Sequence, residues 1–202
     1  MKLIAVITGD IVNSTKPKNT RWQIYLKKVL QEYGKENIDW EIKKGDYFQI
    51  RIPPQQALIV SLKIKATFKK ISKSVDVRMS IGVGEEKYRK KKINLCTGEA
   101  YIFSGRGFDA LKKESIVFYS SNKDINDIIN TMLSLSSLTT NKWTPTQAKM
   151  FLIRLKYPNK SLSQLSTKMK KSTSTISEAL KKLGYKELMM MNSIYQKLIS
   201  KL

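Results

Sequence analysis

The sequence predicts an α+β fold in two parts: an antiparallel sheet with packed helices over residues 1–122, then an all-helical part over residues 123–202. Three observations carry this expectation. Segments that alternate apolar and polar residues, the mark of half-buried strands, occur only before residue 122. Apolar residues at helical spacing lie between them. After the polar break Ser120-Ser121-Asn122, only helical patterns follow. The 202 residues suit one large domain or two small ones, and either is long enough to bury a core.

Lys2–Gly9 (KLIAVITG) is a short apolar run ending in glycine and reads as a buried strand. Asn13-Ser14-Thr15 and Pro17 break it. Over Asn19–Tyr33, the residues Trp22, Tyr25, Leu26, Val29, Leu30 and Tyr33 recur at helical spacing, with Gly34 as the expected C-cap. Ile38–Lys43 and Tyr47–Ile52 both alternate, with Lys44-Gly45-Asp46 between them. That is a β-hairpin with its tip at Gly45-Asp46. Pro53-Pro54 ends the second strand and opens a helix over Ala57–Ile71, with Leu58, Leu62 and Ala66 inward. Val75–Val83 reads as a half-buried strand, Gly98–Lys113 as a helix and Ser115–Tyr119 as a last strand. The order β-α-β-β-α-β is that of a split-βαβ, ferredoxin-like plan. Further helices are expected at Asp124–Leu138, Thr146–Leu155, Leu162–Met169, Thr173–Leu183 and Lys186–Leu202.

The net charge is +22. Residues 1–122 hold 24 Lys/Arg against 12 Asp/Glu, and residues 123–202 hold 14 against 4, so the excess is denser in the second part. A polyanionic partner follows, with nucleic acid ahead of membrane. Only 6 of the 38 basic residues are Arg, and a Lys-rich AT-biased genome gives the same composition. The run Lys87–Lys92 (KYRKKK) reads as a solvated loop ahead of a specific anion site. Cys96 is the sole cysteine and there is no histidine. An internal disulfide, a Cys-His nucleophile, a Ser-His-Asp triad and a His-ligated metal are excluded. Met1–Gly9 is too short for a signal peptide or a membrane span, so a cytoplasmic protein without membrane contact is expected.

In a split-βαβ plan the hairpin tip lies at the same edge as the end of the first strand. Asp10 ends that strand and Asp46 sits at the tip. Each alone serves as a cap or turn former. Together they form a natural divalent-cation site, since Mg²⁺ takes one or two carboxylates plus substrate phosphates.

The segment Thr8-Gly9-Asp10-Ile11-Val12-Asn13-Ser14-Thr15 resembles the metal-binding segment of class III nucleotidyl cyclases. Gly45-Asp46 resembles their second metal aspartate, and Arg78-Met79-Ser80-Ile81-Gly82-Val83-Gly84 the strand that follows. The resemblance assigns Mg²⁺ or Mn²⁺ to Asp10, Ile11 and Asp46, and a nucleotide or other phosphate ligand to Lys44, Gly45 and Arg106. Arg106 stands eight residues after Gly98, at the position of the transition-state arginine and thus of a catalytic residue. Ile102 stands where those cyclases carry asparagine, and Ile42 where they carry the base-selecting lysine, so the turnover residues are incomplete. Such cyclases build their sites between two subunits, which makes a homodimer an expectation. The set ITGDIVNS, KKGDYFQI, RMSIGVGE, GEAYIFSGRGFDALK and a C-terminal helical pair is similar to the bacterial SatD family over nearly the whole chain.

In the second part, Leu162–Met169 and Thr173–Leu183 flank the turn Lys170-Lys171-Ser172. Leu162, Leu165 and Met169 point inward from the first helix; Ile176, Ala179, Leu180 and Leu183 do so from the second. This is a helix-turn-helix pattern. Ser172, Thr173, Ser174, Thr175 and Ser177 suit phosphate and base-edge hydrogen bonds, while Lys170, Lys171, Lys181 and Lys182 neutralise phosphate. A helical hairpin used for packing or dimerisation is the simpler alternative. The whole reads as a DNA-binding regulator whose first part is a degenerate cyclase-like nucleotide and metal domain. An active cyclase or related phosphoryl-transfer enzyme is the alternative, and a ligand-free interaction module a third.

Overall fold

The structure is a computed structural model and describes residues 2–12, 22–43, 46–112 and 115–202. The expected break at residues 13–17, the start of the first helix at Asn19 and the hairpin residues Lys44 and Gly45 lie outside the described residues.

Strand β1 (Lys2–Val12) runs through the centre of a mixed sheet with the order β2-β3-β1-β4-β5. Its neighbours are β3 (Tyr47–Ile52) and β4 (Asp76–Tyr88), both antiparallel to it. β2 (Trp40–Ile42) pairs antiparallel with β3. The two-residue β5 (Thr97–Gly98) and β6 (Ile116–Tyr119) both pair with β4, β6 in parallel. Helix α1 (Trp22–Leu30) follows β1, α2 (Ala57–Ile71) follows β3, and α3 (Glu99–Asp109) follows β5.

Strand alternation sorts the sheet into two faces. Ala5, Ile7 and Ile11 of β1, Phe48, Ile50 and Ile52 of β3, and Val77, Met79, Ile81 and Val83 of β4 join the main core with α1 and α2. The opposite face receives α3: Ile4 and Val6 pack on Ala100, and Thr8 Oγ1 donates to Ser104 Oγ at 3.1 Å. α3 lies so close to β4 that a Cβ on Gly82 would collide with the backbone of Ala100 and Ser104. Strand pairing continues β4 past the expected end at Val83: Glu85 and Glu86 pair with Leu3 and Lys2 of β1, and Glu86 and Tyr88 with Gly98 and Thr97 of β5.

Two local expectations are corrected. α1 ends at Leu30, followed by turn residues, rather than running to Tyr33 with Gly34 as a C-cap. The left-handed residue in that segment is Asn37, with φ 65°. The pattern of α2 predicts one buried face. The helix buries nearly its whole surface, including Val60, Ile64, Phe68 and two lysines, because the sheet lies on one side and a later helix on the other. Lys65 Nζ sits 2.7 Å from Asp76 Oδ1 and Lys69 Nζ 2.8 Å from Asp76 Oδ2. Burial pushes the Lys65 ammonium below the ordinary lysine range, opposed by the Asp76 carboxylate.

The chain after β6 is all helix: α4 (Lys123–Thr140), α5 (Pro145–Lys156), α6 (Leu162–Met169), α7 (Thr173–Lys182) and α8 (Tyr185–Ile199). The starts of α4, α5 and α6 each have a chemical cause. The Asn122 side chain accepts from Ile125 N, and Thr144 with Gln147 and Ser161 with Gln164 form capping boxes. The break at residues 120–122 is tightly bonded. Asn126 exchanges hydrogen bonds of 2.8 and 2.9 Å with the backbone of Ser120, and Asn130 two of 2.8 Å with that of Phe118. One turn apart on α4, these amides stand in for a neighbouring strand along the edge of β6.

One buried cluster extends across residue 122. α5 packs along α2, and Tyr195 of α8 donates to Pro54 O at 2.9 Å with its ring edge-on to Phe118. Trp143 is fully buried against Phe151 and donates from Nε1 to Leu183 O at 3.1 Å. On α8, Leu188, Met191, Tyr195 and Ile199 close the core, whereas Met190 and Ile194 stay exposed.

The α3–β4 contact is testable with two glycines. Gly82→Ala is expected to destabilise the protein by about 1–3 kcal/mol, because backbone must shift to admit the methyl group. Gly105, on the same helix, has open space where a methyl group would project, with no atom within 4 Å. Gly105→Ala is therefore expected to stabilise by about 0.4–1 kcal/mol. Urea midpoints of the two variants check both signs.

Candidate functional site

Two regions hold the residues singled out by the sequence. The first is the end of the sheet where β1 leaves it. Register places Asp10 opposite Tyr47 on one side and Arg78 on the other. Asp46 immediately precedes Tyr47, so Asp10 and Asp46 are at the same end of the sheet. Alternation puts Asp10 on the α3 face together with Thr8, Gln49 and Arg78; Gln49 Nε2 donates to Thr8 Oγ1 at 3.2 Å. Tyr47 closes this end by an edge-on contact with Phe108 of α3, ring centres 5.6 Å apart.

Asp10 has a partner that the sequence pattern alone does not assign. Arg78 Nε donates to Asp10 Oδ1 at 3.0 Å, and its Nη2 donates to Oδ2. This fork, with the charges of Asp10 and Asp46, holds the Arg78 guanidinium above its ordinary pKa against the opposing effect of burial. The pairing is legible in principle: in an antiparallel sheet, an Asp at the end of one strand and an Arg near the start of its neighbour are candidates for register. Ile11 has a hydrocarbon side chain, buried in the main core, so its backbone carbonyl is the one oxygen it offers a cation. Arg106 is in the last turn of α3 on its exposed side, while Ala100, Ser104 and Gly107 face the sheet. The ion pair of Asp10 is with Arg78 and not with Arg106. Lys44 and Gly45 fall outside the described residues.

Two carboxylates suit a hard divalent cation in kind and number. In the arrangement seen, a guanidinium occupies both oxygens of Asp10. Among the described residues, no group of three or more His, Cys, Asp or Glu is placed around an ion-sized gap. A cation at Asp10 therefore requires Arg78 to turn away. Its side chain is 43% exposed, so this is a rotamer change at the surface.

Farther along the same face, Glu86 accepts from Arg51 Nε at 2.7 Å and Nη2 at 2.6 Å, and from Tyr101 Oη at 3.0 Å. Arg89, inside the basic run Lys87–Lys92, bonds Asp39 at 2.9 Å. Burial works to raise the Glu86 pKa, and the Arg51 fork with Tyr101 and Arg89 outweighs it and holds the carboxyl below its usual range. These groups satisfy one another and pin β3, β4 and α3 together. The run expected as a loop over Lys87–Lys92 is loop only in part: Lys87 and Tyr88 end β4, where Tyr88 pairs with Thr97, and Lys90, Lys91 and Lys92 beyond it stay exposed.

The second region is the pair α6 and α7. Lys170 takes a left-handed conformation (φ 52°, ψ 47°) where glycine often stands, and Ser172 caps α7 by accepting from Thr175 N at 3.1 Å. The turn thus reverses the chain without a glycine. Leu165, Ile176 and Leu183 are fully buried, whereas Leu162, expected inward, is exposed because it opens α6 directly after the capping Ser161. Lys170, Lys171, Ser172, Thr173, Ser174, Thr175, Ser177 and Lys181 are all exposed. The hydroxyls are not equivalent. Ser172 is the cap, and its Oγ lies 2.9 Å from Ser174 Oγ and 2.7 Å from Thr175 Oγ1. Thr173 and Ser177 have no such internal bond among the described residues. Lys182 pairs with Glu178 at 2.7 Å one turn away, which leaves Lys181 as the cation of that turn without an ion pair among the described residues.

Comparison with models of protein families, with curated proteins and with solved structures found no match to this chain.

Proposed function

We propose that the chain is a DNA-binding regulatory protein, in which α6 and α7 form a helix-turn-helix and α7 enters the major groove. One observation carries the reading: every polar residue from Lys170 to Thr175, with Ser177 and Lys181, is exposed, while Leu165, Met169, Ile176, Ala179, Leu180 and Leu183 of the same helix pair pack in or against the core. Two lysines in the turn meet phosphates, and Thr173 and Ser177 have hydroxyls available for base edges. Ser172 serves DNA through the geometry it gives the helix, since its side chain is committed to the cap. The net charge of +22 supplies the long-range attraction.

The first part supports a nucleotide- or phosphate-binding role in the same protein. Its strand order β2-β3-β1-β4, with α1 and α2 on one face, agrees with a ferredoxin-like, cyclase-type plan. Asp10 and Asp46 at one end agree with a Mg²⁺ or Mn²⁺ site, where a bound cation would supply positive charge to phosphate oxygens. The Arg78 fork on Asp10, the exposed Arg106 and the absence of the cyclase asparagine at Ile102 favour a degenerate site over turnover. A ligand there alters DNA binding only if it favours one arrangement of the protein over another. A phosphoryl-transfer enzyme is the second reading, favoured by the shared position of the two aspartates.

Binding to duplex DNA, measured by fluorescence anisotropy across a salt series, tests the first reading. Removing both charges with Lys170→Ala and Lys171→Ala is expected to lower the slope of log affinity against log salt by about 1.8, each lysine neutralising one phosphate. An unchanged slope rejects α6–α7 as the contact. For the cation, Arg78→Gln is expected to bind Mn²⁺ about tenfold more tightly than the parent, a gain of roughly 1.4 kcal/mol, and Asp46→Asn to abolish the gain. Calorimetric titration with Mn²⁺ checks this; the absence of binding in both parent and Arg78→Gln rejects the site.

A further inference from the structure

A groove of about 460 Å³ lies between the end of α2, the start of α5 and the end of α6. Four lysines line it: Lys70 from α2, Lys149 from α5, Lys168 from α6 and Lys171 from the turn. All four are exposed, and no acidic residue lines the groove among the described residues. Among the described residues none of the four forms an ion pair, although other lysines of α2 do: Lys63 with Glu32, Lys65 and Lys69 with Asp76. Lys156 and Lys160 lie just beyond, each 5.7 Å from the centre of the Tyr157 ring, with Lys168 at 4.7 Å on the same ring. Four like charges around one concavity repel one another in the free protein, and a polyanion relieves that repulsion.

We infer that this groove is a second seat for the sugar-phosphate backbone of duplex DNA, continuous with the α6–α7 turn through Lys171. The inference rests on the DNA-binding reading and extends it. Lys70 belongs to the sheet-bearing part of the chain, 100 residues before the turn. The packing of α5 on α2 brings it alongside Lys149 and Lys171. The sheet part thus contributes directly to the DNA contact. The groove offers point charges without base-edge donors at fixed angles, apart from the Thr146 hydroxyl on its wall, so it reads phosphate and no sequence. It positions α7 by holding the strand beside the recognition helix.

The test is a salt series on the full chain with Lys70→Ala and Lys149→Ala combined. Both side chains are exposed, and thermal melting confirms that the variant is folded. The slope of log affinity against log salt is expected to fall by about 1.8, with an equal loss on duplexes of unrelated sequence. Lys90→Ala with Lys91→Ala removes the same charge from the basic loop and is expected to leave the slope nearly unchanged. Three results overturn the inference. An unchanged slope in the groove variant, while Lys170→Ala with Lys171→Ala still lowers it, rejects the groove and leaves the helix-turn-helix standing. An equal loss in the loop variant reduces the effect to net charge. No duplex binding by the parent chain rejects both the groove and the reading on which it rests.

Discussion

The burial of α2 on two sides is the constraint on which the rest of this structure depends. A helix laid on a sheet ordinarily keeps a polar outer face. Here Leu58, Leu62 and Ala66 are buried, and so are Val60, Ile64 and Phe68. α2 packs against α5 as well as against β4, and α5 in turn contacts α7. Each large apolar side chain removed from water contributes roughly 1.5–3 kcal/mol, so α2 joins the two parts with a continuous core. Tyr195 and Pro54 add a polar link between the same parts. The helical segment is therefore mounted on the sheet as one packed body, and a lysine from α2 comes to share a groove with the turn before α7.

That arrangement explains how much is legible in the sequence. Local patterns identify the elements well: Ala57–Ile71 and Leu162–Met169 have the expected bounds, since Pro53-Pro54 and Ser161 mark their starts. The hairpin and the first strand bring Asp10 and Asp46 to one end, because alternation and a short connection leave few other registers. What escapes are relations between distant segments. Val60, Ile64 and Phe68 look surplus to a one-faced helix because α2 also packs on α5, some 90 residues downstream. Arg78 reads as part of a strand motif, and its fork on Asp10 depends on register between strands almost 70 residues apart. Asn126 and Asn130 look like ordinary polar surface. Their role in covering the edge of β6 follows only once the helix is placed beside the strand.

The distribution of charge gains meaning in the same way. Counting lysines shows an excess without a location. In the fold, many acidic side chains are committed: Glu86 to Arg51, Asp76 to two buried lysines, Asp10 to Arg78 and Asp39 to Arg89. Among the described residues the four groove lysines have no carboxylate partners, and they stand next to a helix whose exposed face is rich in hydroxyls. The sheet end at Asp10 is a separate feature, where an internal cation and a bound one compete for the same two oxygens.

Hydrogen exchange of backbone amides with and without excess duplex DNA tests the central claim most directly, because it locates the contact without substitution. Slowed exchange is expected in the turn and α7, over residues 170–182, and at the ends of α2 and α5 that border the lysine groove. Slowing confined to the basic loop at residues 87–92, with α7 exchanging as in the free protein, would contradict it.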